Sequence, residues 1–248
     1  MRLGLGLGLG LTKDVGFSPL NISGLGAWYD AYDASTITEA AGAVSQWDDK
    51  SGNLRHITQS TGANQPIYTN GDNVSFDGTN DWLGNSTPFI HAAGATTIFM
   101  VGSNMLQGGG QPLTESNHTS ATPFYNPVAS NATDSQLRFL NRDDASSINI
   151  ELLGGTFFDG STKNLLTFSD DGAELNAYQN GTLTSLSPIA FTRDGATTLT
   201  RFTVGALRRT TISDYANFDL HELIIYERLL TNAERTSITT YLSNRWSV

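Results

Sequence analysis

From Leu25 onward, apolar positions recur at short intervals with the period of a β-strand, and each stretch is bounded by turn residues. Leu25 to Asp30 places Leu, Ala and Tyr on one face; Thr97 to Val101 is short and largely apolar, the pattern of a strand buried on both sides. Leu165 to Ser169, Glu174 to Gln179, Phe202 to Leu207 and Leu220 to Tyr226 are further predicted strands. Between them lie Asn70-Gly71, Asp77-Gly78, Asp159-Gly160, Asp171-Gly172, Asn180-Gly181 and Asp194-Gly195, dipeptides that tolerate the positive φ of tight hairpins. The clearest hairpin spans residues 173 to 186 around Asn180-Gly181. One helix is signalled, over residues 231 to 243: Thr231 and Glu234 form a capping box, and Ile238, Tyr241, Leu242 and Trp246 make a stripe at helical spacing. Many short strands with one terminal helix predict a two-sheet antiparallel sandwich over residues 23 to 230, with the helix packed on it.

The first 22 residues break this pattern. MRLGLGLGLGL alternates with the strand period, but glycine at every second position leaves one face nothing to pack, so an extended N-terminal arm is expected. Its leucine face would become ordered by lying along another subunit's sheet edge. A lone Arg2, the alternating glycines and the lack of a small-x-small cleavage site speak against a secretory signal. No stretch approaches the ~18 apolar residues of a membrane helix.

Composition narrows the function classes. The chain has 248 residues, 38% of them hydrophobic and only 15% charged, which suits turn-rich β-structure and not disorder. A net charge of −10, with no basic run longer than Arg208-Arg209, argues against a nucleic-acid or anionic-membrane partner. Cysteine is absent, so neither disulfides nor thiolate metal sites hold the fold.

Three segments, GLGAWYDAYDASTIT with GAVSQWDDKSGN (24 to 53), VSFDGTNDWL (74 to 83) and DLHELIIYERLLTNAERTSITTYLSNRW (219 to 246), together resemble the concanavalin A-like lectin/glucanase superfamily. The likeness is to its laminin-G-like branch, and the strand-Asn180-Gly181-strand feature adds to it. This resemblance implies an all-β jelly roll of two antiparallel sheets, with ligands held at one rim or on the concave sheet. It also implies a phage virion protein of the capsid or tail, oligomeric in the particle, joined to other virion proteins through the arm and able to bind a host-surface glycan. A glycoside hydrolase or polysaccharide lyase on the same fold, or a secreted bacterial lectin domain, are the alternatives, because one fold carries many functions.

The residues themselves point away from catalysis. Glucanases of this fold carry an E-x-D-x-x-E type strand, and none is present. Glu222 and Glu227 fall on opposite faces of a regular strand, Glu174 stands alone, and His56, His91, His118 and His221 show neither metal spacing nor a nucleophile partner. The expectation is a non-catalytic module. Asp77, Asn80 and Asp81 offer hard oxygen donors that calcium takes, but also form a plain turn, with Asp77 accepting backbone N–H groups; Asp48 and Asp49 face the same choice. Trp28, Trp47, Trp82 and Trp246 lie in apolar patterns and read mostly as core. Tyr125 and His118, in the polar stretch from Asn104 to Ser135, and Tyr215, after Arg208 and Arg209, are the candidate glycan contacts, since long polar loops often carry function.

Overall fold

The computed structural model describes residues 16–248 except Ser161 and Asp194. It is built almost wholly from antiparallel strands with one C-terminal α-helix. In the front layer, Glu174–Gln179, Asn164–Asp170, Thr96–Ser103 and Asn217–Tyr226 pair in that order. Leu25–Asp30 lies beside the second half of Asn217–Tyr226, and Asn73–Asp77 beside its first half. The back layer runs Ile148–Gly154, Leu137–Arg142, Phe124–Ser130, Leu113–Ser116, Arg201–Val204, Leu83–Asn85 and Ile57–Thr58. Ala43–Trp47 pairs with both Ile57–Thr58 and Ile67–Thr69, so the hydrogen-bonded ladder passes from one layer to the other without a break.

The core lies between the layers because each strand turns every second side chain inward. Tyr29 of the front layer stacks on Phe202 of the back at 6.3 Å between ring centroids, and Phe168 on Phe139 at 5.8 Å. The outer face of the front layer is apolar as well, and Trp28, Phe99, Val101, Leu165 and Ile224 there are covered by Ile238, Leu242 and Trp246 of the helix Asn232–Trp246. The capping box forms as expected: Glu234 N–H donates to the Thr231 hydroxyl, and Thr231 N–H to the Glu234 carboxylate.

Two expectations change. Asn104 to Ser135 is not one long loop: it contains the strands Leu113–Ser116 and Phe124–Ser130, buried throughout. Their polar residues Glu115 and Asn126 and the internal Pro127 hid them, and a register shift between Asn126 and Ala129 accommodates the proline. Residues 16 to 22, expected as part of an arm over residues 1 to 22, pack on the domain. Ile22 packs with the helix cluster, Phe17 lies 5.9 Å from the Tyr241 ring, and the Tyr226 hydroxyl donates to the Pro19 carbonyl at 2.9 Å. Residues 1 to 15, with the leucine–glycine alternation, lie outside the described residues.

Candidate functional site

The predicted contact residues do not converge. Tyr125 is fully buried, its hydroxyl donating to Asp170 at 2.7 Å beneath the Arg193 guanidinium, and burial raises its pKa strongly. A ring with no exposed face cannot stack on a sugar, so its expected role as a surface contact is corrected. His118 is exposed and bonds through Nδ1 to the Thr200 hydroxyl at 2.8 Å, next in the chain to Arg201. Tyr215 is half-buried and lines a separate cavity of about 210 Å³ with Asp77 and Asn217.

At the expected calcium donors, one Asp77 carboxylate oxygen accepts from Thr79 N–H at 2.7 Å and Asn80 N–H at 3.2 Å. Asp81 accepts from Asp77 N–H at 3.1 Å, and the Asn80 amide donates to the Ala63 carbonyl. These oxygens close a turn, and among the described residues no three His, Cys, Asp or Glu side chains converge as a metal site. The donor set does not fit a calcium cage, which needs six to eight oxygens turned toward one point. Asp49 is likewise committed, accepting from Trp28, Ser51 and Arg55 N–H groups, while Asp48 pairs with Gln46 and His56. Asp77→Ala should lower stability by about 1–2 kcal/mol. Melting in calcium and in chelator should show the same loss, and a larger loss in calcium would restore the metal reading.

A different constellation occupies the outer face of the back layer. Phe202 and Val204 point into the core, so Arg201 and Thr203 point out. Arg201 is paired across the ladder with Ser116, Ser116 with Phe124, and Phe124 with Arg142, and residues opposite one another share a face. Over this face folds the hairpin Leu207–Arg208 and Ile212–Ser213, tied down by hydrogen bonds from Thr114 to the Ala206 carbonyl and from Ser116 to the Arg208 carbonyl. The hairpin lays Arg208 across the Trp82 ring at 3.6 Å from its centroid. Gly84 makes that approach possible: a Cβ there would stand 2.8 Å from an Arg208 guanidinium nitrogen and 2.5 Å from the Phe202 carbonyl oxygen.

Trp82, Arg208, Arg201, Gly84, Asn85 and Ser86 thus line a cavity of about 180 Å³. Arg201 donates to the Ser86 hydroxyl, and neither guanidinium has a carboxylate within 4.0 Å among the described residues. Burial and the neighbouring positive charge of Arg201 lower the Arg208 pKa to about 10. Arg201 Nε and Trp82 Nε1 are buried without a hydrogen-bond partner. Two like-charged guanidiniums and two buried donors without a partner among the described residues thus belong to the side chains bordering one small cavity, in a chain of net charge −10.

Solved structures give the fold a context. Trypanosoma rangeli sialidase in complex with sialic acid superposes with a TM-score of 0.61 at 14% identity, over 91% of this chain and 34% of that one. The same sialidase as its 2,3-difluorosialic acid covalent intermediate gives 0.63 at 14%, over 91% and 33%. The binding domain of Paraclostridial Mosquitocidal Protein 1 gives 0.58 at 12%, over 84% and 52%. The shared fold is a jelly-roll-like β-sandwich. This chain spans about a third of the length of the sialidases it matches. No protein-family model matches it, and no curated protein sequence matches it. The expectation of a non-catalytic module is withdrawn on this comparison, because the structures that share the fold include sialidases, which are glycoside hydrolases; at 14% identity over about a third of those chains, the likeness is one of fold.

The structure also assembles a carboxylate pair that chain spacing conceals. Asp30 and Glu222 sit opposite each other in register on neighbouring strands, both fully buried under the helix. Glu222 accepts from Trp28 Nε1 at 2.8 Å, Trp246 Nε1 at 2.7 Å and the Tyr241 hydroxyl at 3.0 Å, while Asp30 is held by Arg245 and Lys50, each at 2.8 Å. Burial, reinforced by Asp30, lifts the Glu222 pKa to about 7. Every oxygen here faces a donor of the fold itself, so the pair fastens the helix to the front layer.

The sequence held two signals for the arginine site. Arg208-Arg209 is the chain's longest basic run, and Trp82 directly follows the Asp77–Asp81 turn. Trp82 read as core because its apolar neighbours Leu83 and Phe89 are core, whereas Trp82 itself is half-exposed.

Proposed function

We propose that this chain is a carbohydrate-recognising β-sandwich domain that takes an acidic sugar, with its carboxylate between Arg201 and Arg208 and its ring edge against Trp82. The observation that carries the reading is the pair of guanidiniums without carboxylate partners on the Trp82 cavity. A cavity of about 180 Å³ lies below the ~300 Å³ at which ordinary ligand clefts begin, which suits one anionic group with part of a ring and not a whole buried ligand. Arginine suits this task because its fork meets a carboxylate through two parallel N–H groups. The likeness in fold to a sialidase solved in complex with sialic acid supports carbohydrate as the ligand class. A place in a phage particle, with assembly through the N-terminal arm of residues 1 to 22, is supported by the sequence alone.

The test compares N-acetylneuraminic acid and glucuronic acid with glucose by calorimetric titration, because glucose keeps the ring of glucuronic acid and lacks its charge. The acids should bind and glucose should not. Each charge-assisted contact contributes roughly 1.5–3 kcal/mol, so Arg201→Gln with Arg208→Gln should weaken binding about a hundredfold or more. Equal binding of glucose, or acid binding untouched by the double variant, would refute the reading.

A further inference from the structure

Among the described residues, all but one of the cationic groups that stand in no ion pair are gathered on one face. Lys50, Arg55, Lys163, Arg193, Arg228 and Arg245 all stand in ion pairs. Among the described residues, Arg138, Arg142, Arg201, Arg208, Arg209 and Arg235 do not, and all of these except Arg235, on the helix, belong to the outer side of the back layer or the hairpin over it. Arg138, Leu140 and Arg142 alternate with the core residues Leu137 and Phe139, which fixes their outward direction. The Arg209 guanidinium lies 5.5 Å from the Phe124 ring centroid and is braced by the Ala121 carbonyl at 2.7 Å. The Nε atoms of Arg138, Arg142, Arg201 and Arg209 are buried with no hydrogen-bond partner.

These groups form a line and not a scatter. Arg201, Ser116, Phe124 and Arg142 occupy one row perpendicular to the strands, so Arg201 and Arg142 are three strand spacings apart, about 14 Å. Arg208 flanks the row at the Arg201 end, and Arg209 flanks it over Phe124. Holding like charges in a line costs electrostatic energy that an acidic chain of net charge −10 could have relieved with its own carboxylates. A ligand with repeated negative charges relieves it instead.

We infer that the site binds an extended glycan chain bearing regularly spaced anionic groups, with Arg142 and Arg209 forming a second subsite beyond the Trp82 cavity. This rests on the acidic-sugar reading of that cavity and names its ligand as a polymer, not a single terminal sugar. The shared chemistry is a carboxylate or sulfate on successive or alternate sugars. Nucleic acid is disfavoured, because the overall negative charge repels a denser polyanion at long range.

The experiment measures affinity of the full chain for galacturonic acid, hexagalacturonate, a heparin hexasaccharide and an oligothymidylate, with melting curves to verify folding. Hexagalacturonate should bind at least tenfold more tightly than the monomer, and Arg142→Gln with Arg209→Gln should abolish that gain. The same Arg142-dependent gain with the heparin fragment would support the inference and identify sulfate as an accepted anion. Monomer binding without any gain in the hexamer, or a gain that survives the double variant, overturns the second subsite while leaving the Trp82 cavity reading intact. Failure of the monomer acids to bind overturns the reading beneath it. Oligothymidylate bound as tightly as hexagalacturonate would overturn the assignment to glycan.

Discussion

Glu115→Ala should destabilise the fold by about 3–5 kcal/mol, one of the largest losses any single side-chain truncation would cause. Glu115 is fully buried and points inward from the strand beside Arg201. Its carboxylate accepts three consecutive backbone N–H groups, from Phe89, from Ile90 at 2.7 Å and from His91 at 2.9 Å. Burial raises its pKa and those three donors lower it, so the N–H groups stabilise the carboxylate they surround. Removing it leaves buried donors with nothing to meet, each costing roughly 1–3 kcal/mol, and opens a cavity beside Phe89 and Phe202. The segment held in this way follows Ser86, so the wall of the arginine cavity should loosen as well. Thermal unfolding should fall by roughly 10 °C, with Glu115→Gln intermediate because its amide keeps one acceptor. A loss under about 1 kcal/mol would show that water reaches these N–H groups and that the site is less closed than the structure has it.

The second large effect is on pH dependence. With its folded pKa at about 7 against an ordinary 4.5, Glu222 keeps a proton that the unfolded chain has released across that interval. Its contribution therefore favours folding at low pH and is lost as pH rises from about 4.5 through 7, an effect of roughly 3 kcal/mol. The facing groups are Asp30, which raises the pKa, and Arg245 with the Trp28 and Trp246 indoles, which lower it. His91, held neutral by burial with its pKa near 4, and His221, also lowered, act in the opposite sense. The raw stability profile mixes these trends, so the informative quantity is the difference between wild type and Glu222→Gln, measured by urea unfolding from pH 5 to 8. The variant, neutral throughout, should gain on the wild type by about 2–3 kcal/mol over that range. A constant difference would mean that the indole and phenol donors keep Glu222 ionised at every pH.

Much of the architecture was present in local signals. The turn at Asn180-Gly181 and the capping box of Thr231 and Glu234 depend on neighbours a few residues away and appear where those neighbours put them; at Leu25 to Asp30 the strand forms, but a register shift turns Leu25 to the helix side, away from Ala27 and Tyr29 in the core between the layers. A strand's period and a helix's first turn are set by short-range geometry, which a sequence displays directly. The composition similarly determined an acidic, cysteine-free chain that must rely on its core.

Tertiary structure decided everything that depends on which strands become neighbours. Glu115 and Tyr125 read as polar loop residues because their partners lie 24 to 45 positions away, and only pairing within the back layer buries them. Asp30 and Glu222 meet across almost the whole chain through the pairing of two front-layer strands. The candidate site has the same origin. Trp82, Arg142 and the stretch from Arg201 to Arg208 are far apart in sequence and carry no motif; they share a face because antiparallel register brings opposite residues together and a hairpin folds an arginine over the Trp82 ring. Whether a charge has a partner is a property of three-dimensional proximity, so the unpaired arginines of this acidic chain become visible only once the strands are laid side by side.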